Sequence, residues 1–210
     1  MQITGAQLIV RLLEQQGITT VAGIPGGAAL PFYDALAGSS IIHHVLTRHE
    51  QGAGFLAQGM ARVTGKAAVC ISSSGPGATN LVTAIADAKL DSIPIVCITG
   101  QVPSSMIGTD AFQEVDTYGI SIPVTKHNWL VRNAEDLLHI IPDAFRIAES
   151  GRPGPVWIDV PKDVQCAVLE IDELPLAAKP DSAPLLDMEQ IERAVGLIDA
   201  ARRPGVYVGG

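Results

Sequence analysis

Six short apolar runs, separated by stretches with helical spacing, confine this chain to one kind of architecture. The runs are "ITTVAGI" (18–24), "IIHHVLT" (41–47), "AAVCIS" (67–72), "IPIVCITG" (93–100), "HNWLV" (127–131) and "PVWIDVP" (155–161). Several are nearly continuous in Val, Ile and Cys rather than alternating, which marks strands covered on both faces. Helices are predicted between them over 28–37, 51–64, 79–90, 115–121 and 134–149. Strand and helix repeated in this way give an α/β fold of three layers, a parallel sheet with helices on both faces. Ligands of such sheets bind beyond the carboxyl ends of the strands. The loops there are "PGGAA", "RHEQG", "SSSGPGATN", "GQVPSSMIGTDAFQEVD" and "PKDVQ", and they hold most of the glycines.

With 47% hydrophobic and 17% charged residues the chain can bury a large core. A net charge of −8 and the lack of any Lys/Arg cluster exclude a nucleic-acid partner. "MQITGAQLIVRLLEQQG" reads as an amphipathic helix capped by Thr4, not as a signal peptide. No apolar run is long enough for a bilayer. Cys70, Cys97 and Cys166 have no metal-ligand spacing and read as buried, reduced thiols of a cytoplasmic protein. After residue 165 the texture changes. Residues 1–165 read as one domain, 166–186 as a Pro-, Ala- and acid-rich linker, and 187–210 as the first helix and strand of a second α/β domain. The expectation is therefore a fragment of a longer chain.

"RHEQGAGFLAQGMARVTGK" (48–66) places one carboxylate, Glu50, at the start of a helix that is otherwise almost inert. Its spacing carries Phe55, Leu56, Met60 and Val63 toward a core, or toward another domain or subunit. Gly52, Gly54 and Gly59 each weaken the helix by about 1 kcal/mol relative to Ala, so a close approach by a helix or a flat ligand is expected. Nucleotide motifs are missing: there is no G-x-G-x-x-G in context and no G-x-x-x-x-G-K-[ST]. "HE" at 49–50 lacks the second His of a zinc helix. Taken alone, Glu50 is a dipole-stabilising carboxylate and "GPGATN" a tight turn into a helix.

Taken in order, "GIPGGAALPFYDAL", "RHEQGAGFLAQGMAR", "SSSGPGATNLVTAIADAKLDSIPIVCITGQVP", "GTDAFQEVD" and "SGRPGPVWIDVPKDVQ" resemble the pyrimidine-binding N-terminal domain of thiamine-diphosphate-dependent enzymes. "GTDAFQEVD" and "TKHNWLV" are similar to the acetolactate (acetohydroxyacid) synthase branch, whose catalytic subunit uses this domain. The resemblance implies that Glu50 hydrogen-bonds N1′ of the cofactor's aminopyrimidine and is the catalytic carboxylate. It implies backbone contacts near the thiazolium from Gly26, Gly27 and Ala28, and pyrimidine-side contacts from Pro76 and Asn80. Gln113 would lie beside the cofactor, with Phe112 and Lys162 along the substrate channel. Ser92 and Arg152 would meet a non-redox flavin, FAD. No metal ligand is assigned in this chain, since the Mg2+ motif of the family belongs to a diphosphate-binding domain not present here.

The implied reaction is decarboxylation of pyruvate and ligation of the two-carbon unit to pyruvate or 2-oxobutyrate, in branched-chain amino acid biosynthesis. The implied partners are a second copy in a homodimer or homotetramer and a regulatory small subunit, and the fragment alone is expected to be inactive. Two other readings stay open. One is another thiamine-diphosphate decarboxylase or carboligase. The other is a non-catalytic α/β domain that dimerises.

Overall fold

The computed structural model describes residues 1–183 and 185–208. In chain order the elements are β1 (Gln2–Thr4), α1 (Gly5–Gln15), β2 (Thr20–Gly23), α2 (Leu30–Ala37), β3 (His43–Leu46), α3 (Glu50–Thr64), β4 (Ala68–Ser72), α4 (Pro76–Leu90) and β5 (Ile95–Gln101). They continue as α5 (Thr117–Ser121), β6 (His127–Leu130), α6 (Leu137–Glu149), β7 (Val156–Pro161), α7 (Lys162–Cys166), β8 (Val168–Glu170) and α8 (Met188–Ala200). Each of the six apolar runs contains one strand of a single parallel sheet, ordered β3-β2-β4-β5-β7-β6. Thr4 caps α1 in a full capping box with Gln7, as its sequence predicts.

The apparently continuous strands carry a hidden alternation. Val69, Ile71, Val96, Ile98, Val156 and Ile158 point to one face, where α1, α2 and α6 supply Leu, Ile and Phe. Ala68, Cys70, Cys97 and Trp157 point to the other face, against the alanine-rich sides of α3 and α4. Bulky β-branched groups thus fill a thick layer on one side, and Ala and Cys, with Trp157 as the exception, allow a thin one under α3 and α4 on the other. Period two survives inside a run that hydrophobicity alone shows as uniform.

The thin layer corrects the sequence reading of α3. Its buried residues are Ala53, Gly54, Ala57, Gln58 and Ala61. Phe55 is 41% exposed and Val63 is 87% exposed, while Leu56 and Met60 pack only at the edge of the core. The reason is the close crossing with α4. A Cβ on Gly54 would lie 2.6 Å from the Ala84 Cβ, and Gln58 Nε2 donates to the Ala84 carbonyl at 2.7 Å. Gly52 and Gly59, in contrast, face open space, with nothing within 4 Å of where a Cβ would stand. Only one of the three glycines therefore meets the close approach expected of them all.

Three further elements, β1, β8 and the short helix α7 in the loop "PKDVQ", lie where the sequence reading had none. β1 pairs antiparallel with β8, which falls inside the segment read as a linker, and Leu169 and Ile171 are buried in the main core. The packed body therefore runs past residue 165, and at the end of α7 Cys166 is exposed where burial is expected, while Cys70 and Cys97 are buried in the central strands. Beyond that body, α8 forms where the second domain's helix is expected, with Asp187 as its cap and no buried residue. Residues 205–208, read as the next strand, form none, and the terminal "GG" lies outside the described residues.

Gly54→Val should destabilise the chain by about 1–3 kcal/mol through overpacking against Ala84. Gly59→Ala should stabilise it by up to about 1 kcal/mol through helix propensity. Urea unfolding of the two variants beside the parent checks both signs.

Candidate active site

The sheet order places a topological switch between β2 and β4. The chain leaves β2 outward to β3, then returns to β4 on the other side. The helices divide in the same sense, because α2 joins the bulky layer and α4 the thin one. The loops leaving the two strands therefore part, and the crevice between them is the favoured ligand position of such folds.

Both walls of this crevice are held by short polar contacts. In the first loop the Ala28 N–H donates to Ser73 Oγ at 3.3 Å, and Gln165 Nε2 donates to the Ala28 carbonyl at 2.8 Å. A Cβ on Gly26 would fall 2.5 Å from the Ser73 side chain, and one on Gly100 would fall 2.4 Å from the Ala28 oxygen. These contacts settle Gly26, Gly27 and Ala28 at the crevice mouth. Ser73, Gly100 and Gln165 were missed by sequence reasoning. The serine run 72–74 offered a signal, but it read only as part of a turn.

Glu50 opens α3, where the ring Nδ1 of His49 caps the helix by accepting from the Gln51 N–H at 3.1 Å. Its Oε2 accepts from Asn80 Nδ2 at 2.9 Å, a bond across the α3–α4 crossing. The other oxygen, Oε1, lies toward the Gly77 backbone: a Cβ there would be 3.6 Å from it and 2.7 Å from Ser72 Oγ. Ser72 Oγ is buried without a hydrogen-bond partner, and so is the Tyr33 hydroxyl. Burial, then the neighbouring Cys70 and Glu50, hold Tyr33 well above the ordinary phenol range, so it remains a donor. One carboxylate oxygen is thus fixed and the other is turned to a glycine floor beside an orphaned hydroxyl. That arrangement leaves one carboxylate oxygen open to a hydrogen-bond donor in the crevice.

Pro76 is the first residue of α4 and follows Gly75, whose φ of 55° is a left-handed conformation suited to glycine. A Cβ on Gly75 would lie 2.5 Å from the Gln113 carbonyl oxygen, so the loop carrying Gln113 sits against the head of α4. Phe112 beside it is 87% exposed. The same loop is braced by Glu114, whose carboxylate accepts from the N–H groups of Gly108 (2.6 Å) and Ala111 (3.3 Å). Lys162 begins α7 at the carboxyl end of β7, on the same edge of the sheet. Asp163 next to it accepts from the Ser104 N–H at 2.9 Å.

Ser92 and Arg152 are brought together, but elsewhere. Arg152 Nε donates to Ser92 Oγ at 2.7 Å and its Nη2 to the Leu90 carbonyl at 3.0 Å. Ser92 precedes β5 and Arg152 precedes β7, so the pair lies at the sheet edge opposite Glu50.

Residues 3–120 match the family described as thiamine pyrophosphate enzyme, N-terminal TPP binding domain, and the chain belongs to that family. Among curated proteins it is 68% identical over 209 residues to the acetolactate synthase isozyme 1 large subunit of Escherichia coli (strain K12), covering 100% of this chain and 37% of that one. It is 56% identical over 211 residues to the acetolactate synthase large subunit of Corynebacterium glutamicum, covering 100% and 34%. Against the isozyme 2 large subunit of Escherichia coli it is 50% identical over 208 residues, covering 99% and 37%. The chain spans about a third of the length of these relatives. Among the described residues no helix is long and apolar enough to cross a membrane.

The loop brace gives a pH prediction. The N–H groups of Gly108, first, and then those of Ala111, Asp110 and Thr109 hold Glu114 below its ordinary value of 4.5. A carboxylate lowered in the folded state contributes order above that ordinary value and loses it as pH falls through the lowered one. After correction for intrinsic rates, amide protection in 108–114 should therefore fall on acidification below 4.5, and Glu114→Gln should remove that acid-dependent step.

Proposed function

We propose that this chain is the pyrimidine-binding part of an acetolactate synthase large subunit. The observation that carries the reading is the Glu50–Asn80 pair at the switch-point crevice, with Oε2 held by the amide and Oε1 turned toward Gly77. Thiamine diphosphate, when bound, supplies the reactive carbon that removes carbon dioxide from pyruvate and passes the two-carbon unit to pyruvate or 2-oxobutyrate. The protein's own part is narrower. Glu50 holds and exchanges a proton at the ring nitrogen N1′, as a carboxyl fixed by one hydrogen bond and free at its other oxygen can do. Gly26 and Gly27 offer backbone N–H groups to developing negative charge, from a loop that Ala28 braces through its N–H to Ser73 and its carbonyl to Gln165. Pro76 and Gly77 bring the head of α4 close to the ring, and Gln113 and Phe112 border the crevice from the loop beside it.

Mg2+ would be held with the diphosphate by residues of the remaining two thirds of the chain. FAD, in a non-redox role, would be met by Arg152 and Ser92, whose existing hydrogen bond presets the guanidinium. Phe55, Leu90 and Val63, exposed on the thin layer, suit burial against a second copy in a homodimer or homotetramer. A regulatory small subunit and a cytoplasmic location complete the reading, which accords with the large-subunit names of the relatives.

Glu50→Gln in the full-length enzyme should lower acetolactate formation by about 10²–10⁴-fold while leaving thermal unfolding unchanged. Near-normal turnover would remove Glu50 from its role. Arg152→Ala should weaken flavin retention more than thiamine diphosphate binding. Residues 1–210 alone, supplied with pyruvate, Mg2+, FAD and thiamine diphosphate, should form no acetolactate.

A further inference from the structure

The loop that borders the crevice is tied to the sheet through a buried polar chain that none of the roles above uses. Gln101 ends β5, and its Nε2 donates to the Val115 carbonyl at 3.0 Å and to Asp159 Oδ2 at 2.9 Å. Its Oε1 accepts from the Val102 N–H at 2.8 Å, which fixes the amide's orientation. Asp159 stands in register with Thr99 on the neighbouring strand, and the Thr99 hydroxyl donates to Oδ1 at 2.6 Å. The same hydroxyl accepts from Trp157 Nε1 at 2.9 Å. Asp159 and Gln101 are each 2% exposed, and Thr99 is fully buried.

The inventory of donors explains why an acid stands here. One hydrogen of the Gln101 amide goes to Asp159, and the other is shared by the Val115 carbonyl and the Thr117 hydroxyl at 3.4 Å. The single hydroxyl hydrogen of Thr99 has the carboxylate as its acceptor, because the indole occupies its other side. A buried carboxylate is costly where an amide or an apolar group would be cheaper. Its return is that both faces of the chain are held at once, β5 by Thr99 and the outgoing loop by Gln101.

We infer that Asp159 is a positioning residue of the candidate site, acting through Gln101 to hold segment 108–117, and hence Gln113, against Gly75 at the head of α4. The effect on the segment stands on the geometry alone, and its bearing on turnover rests on the thiamine diphosphate reading.

The arrangement carries a proton linkage. Burial pushes the Asp159 carboxyl up to about 7, with the donors Thr99, Gln101 and Thr117 opposing and the Asp116 carboxylate adding to the rise. The nearby Cys97 thiol is raised by burial and remains neutral, so Asp116 is the charged neighbour. Displacing the segment hydrates Asp159 and returns it toward 3.8. A group whose pKa is raised in the closed form stabilises that form below the ordinary value and loses the contribution as pH rises through the raised one. Opening of the segment therefore becomes easier between 3.8 and about 7, in the sense opposite to the Glu114 brace.

The test is hydrogen exchange by mass spectrometry on the full-length chain, beside steady-state kinetics. Gln101→Met keeps length and removes the amide. Exchange in 108–117 should quicken about tenfold, with the amides of β5 and β7 unchanged. KM for pyruvate should rise more than kcat falls, since binding of substrate depends on a placed loop. Asp159→Asn can accept from only one of its two donors, so exchange in 108–117 should quicken, though less than in the Gln101 variant, and the wild-type rise in exchange toward about pH 7, after correction for intrinsic rates, should be lost. Unchanged exchange in 108–117, or equal acceleration throughout the sheet, overturns the inference. Should the Gln101 variant fail to fold, the Asp159 variant decides, and unchanged exchange in 108–117 there is fatal to it. Localised loosening in the Gln101 variant, when the wild-type chain itself makes no acetolactate, would keep the inference and overturn the functional reading instead.

Discussion

The crossing of α3 and α4 at Gly54 and Ala84 is the contact on which the site depends. At that point the helices are so close that a Cβ at 54 has no room, and Gln58 spans the gap to a backbone carbonyl. The separation is what lets Asn80 reach Glu50. Two helix starts, each following a different strand, are brought within a hydrogen bond because the residues between them are Ala and Gly. A larger side chain at the crossing would move the Asn80 amide away from the carboxylate and leave both groups half-buried without each other, at a cost of about 1–3 kcal/mol. The thin layer of Ala and Cys is therefore a condition of the Glu50–Asn80 pair as well as a style of packing.

The sheet supplies the second constraint. All six strands run the same way, so every loop at their carboxyl ends reaches one edge, and the switch between β2 and β4 opens that edge at a single place. The Gly26 loop, the Ser73 turn and the start of α3 meet there. Ser92 and Arg152 lie at the opposite edge for the same topological reason. A ligand reading that involves both ends asks for an extended molecule or for another domain beside this one. Local polar braces then settle what topology leaves loose: Ser73 and Gln165 on the first loop, Glu114 within the loop near Gln113, and Asp159 with Gln101 beneath it.

Much of the fold was legible because each strand is a dense β-branched run ended by a turn. The capped first helix, the parallel sheet and the position of Glu50 at a helix start all followed from local pattern. The buried face of α3 was not legible. Phe55 and Val63 are the larger apolar residues at helical spacing, and hydrophobicity ranks them above Ala53 or Ala57. Steric room ranks them in reverse once another helix lies that close. β1 and β8 were also hidden, since three-residue strands 164 positions or more apart leave no local period to find.

By itself, the sequence determined which segments become strands and helices, and the order of motifs that ties the chain to thiamine-diphosphate enzymes, because both are written in short windows of residue type. Only the tertiary structure decided that one of three glycines in α3 is needed for close packing, that Asn80 grips Glu50, and that Asp159 stands under the loop beside the crevice. Those relations join residues thirty or more positions apart, as Asn80 and Glu50 are, or residues on neighbouring strands, as Gln101 and Asp159 are. A hydrogen bond is set by distance and direction between atoms, and neither is defined until the sheet has brought the strands together.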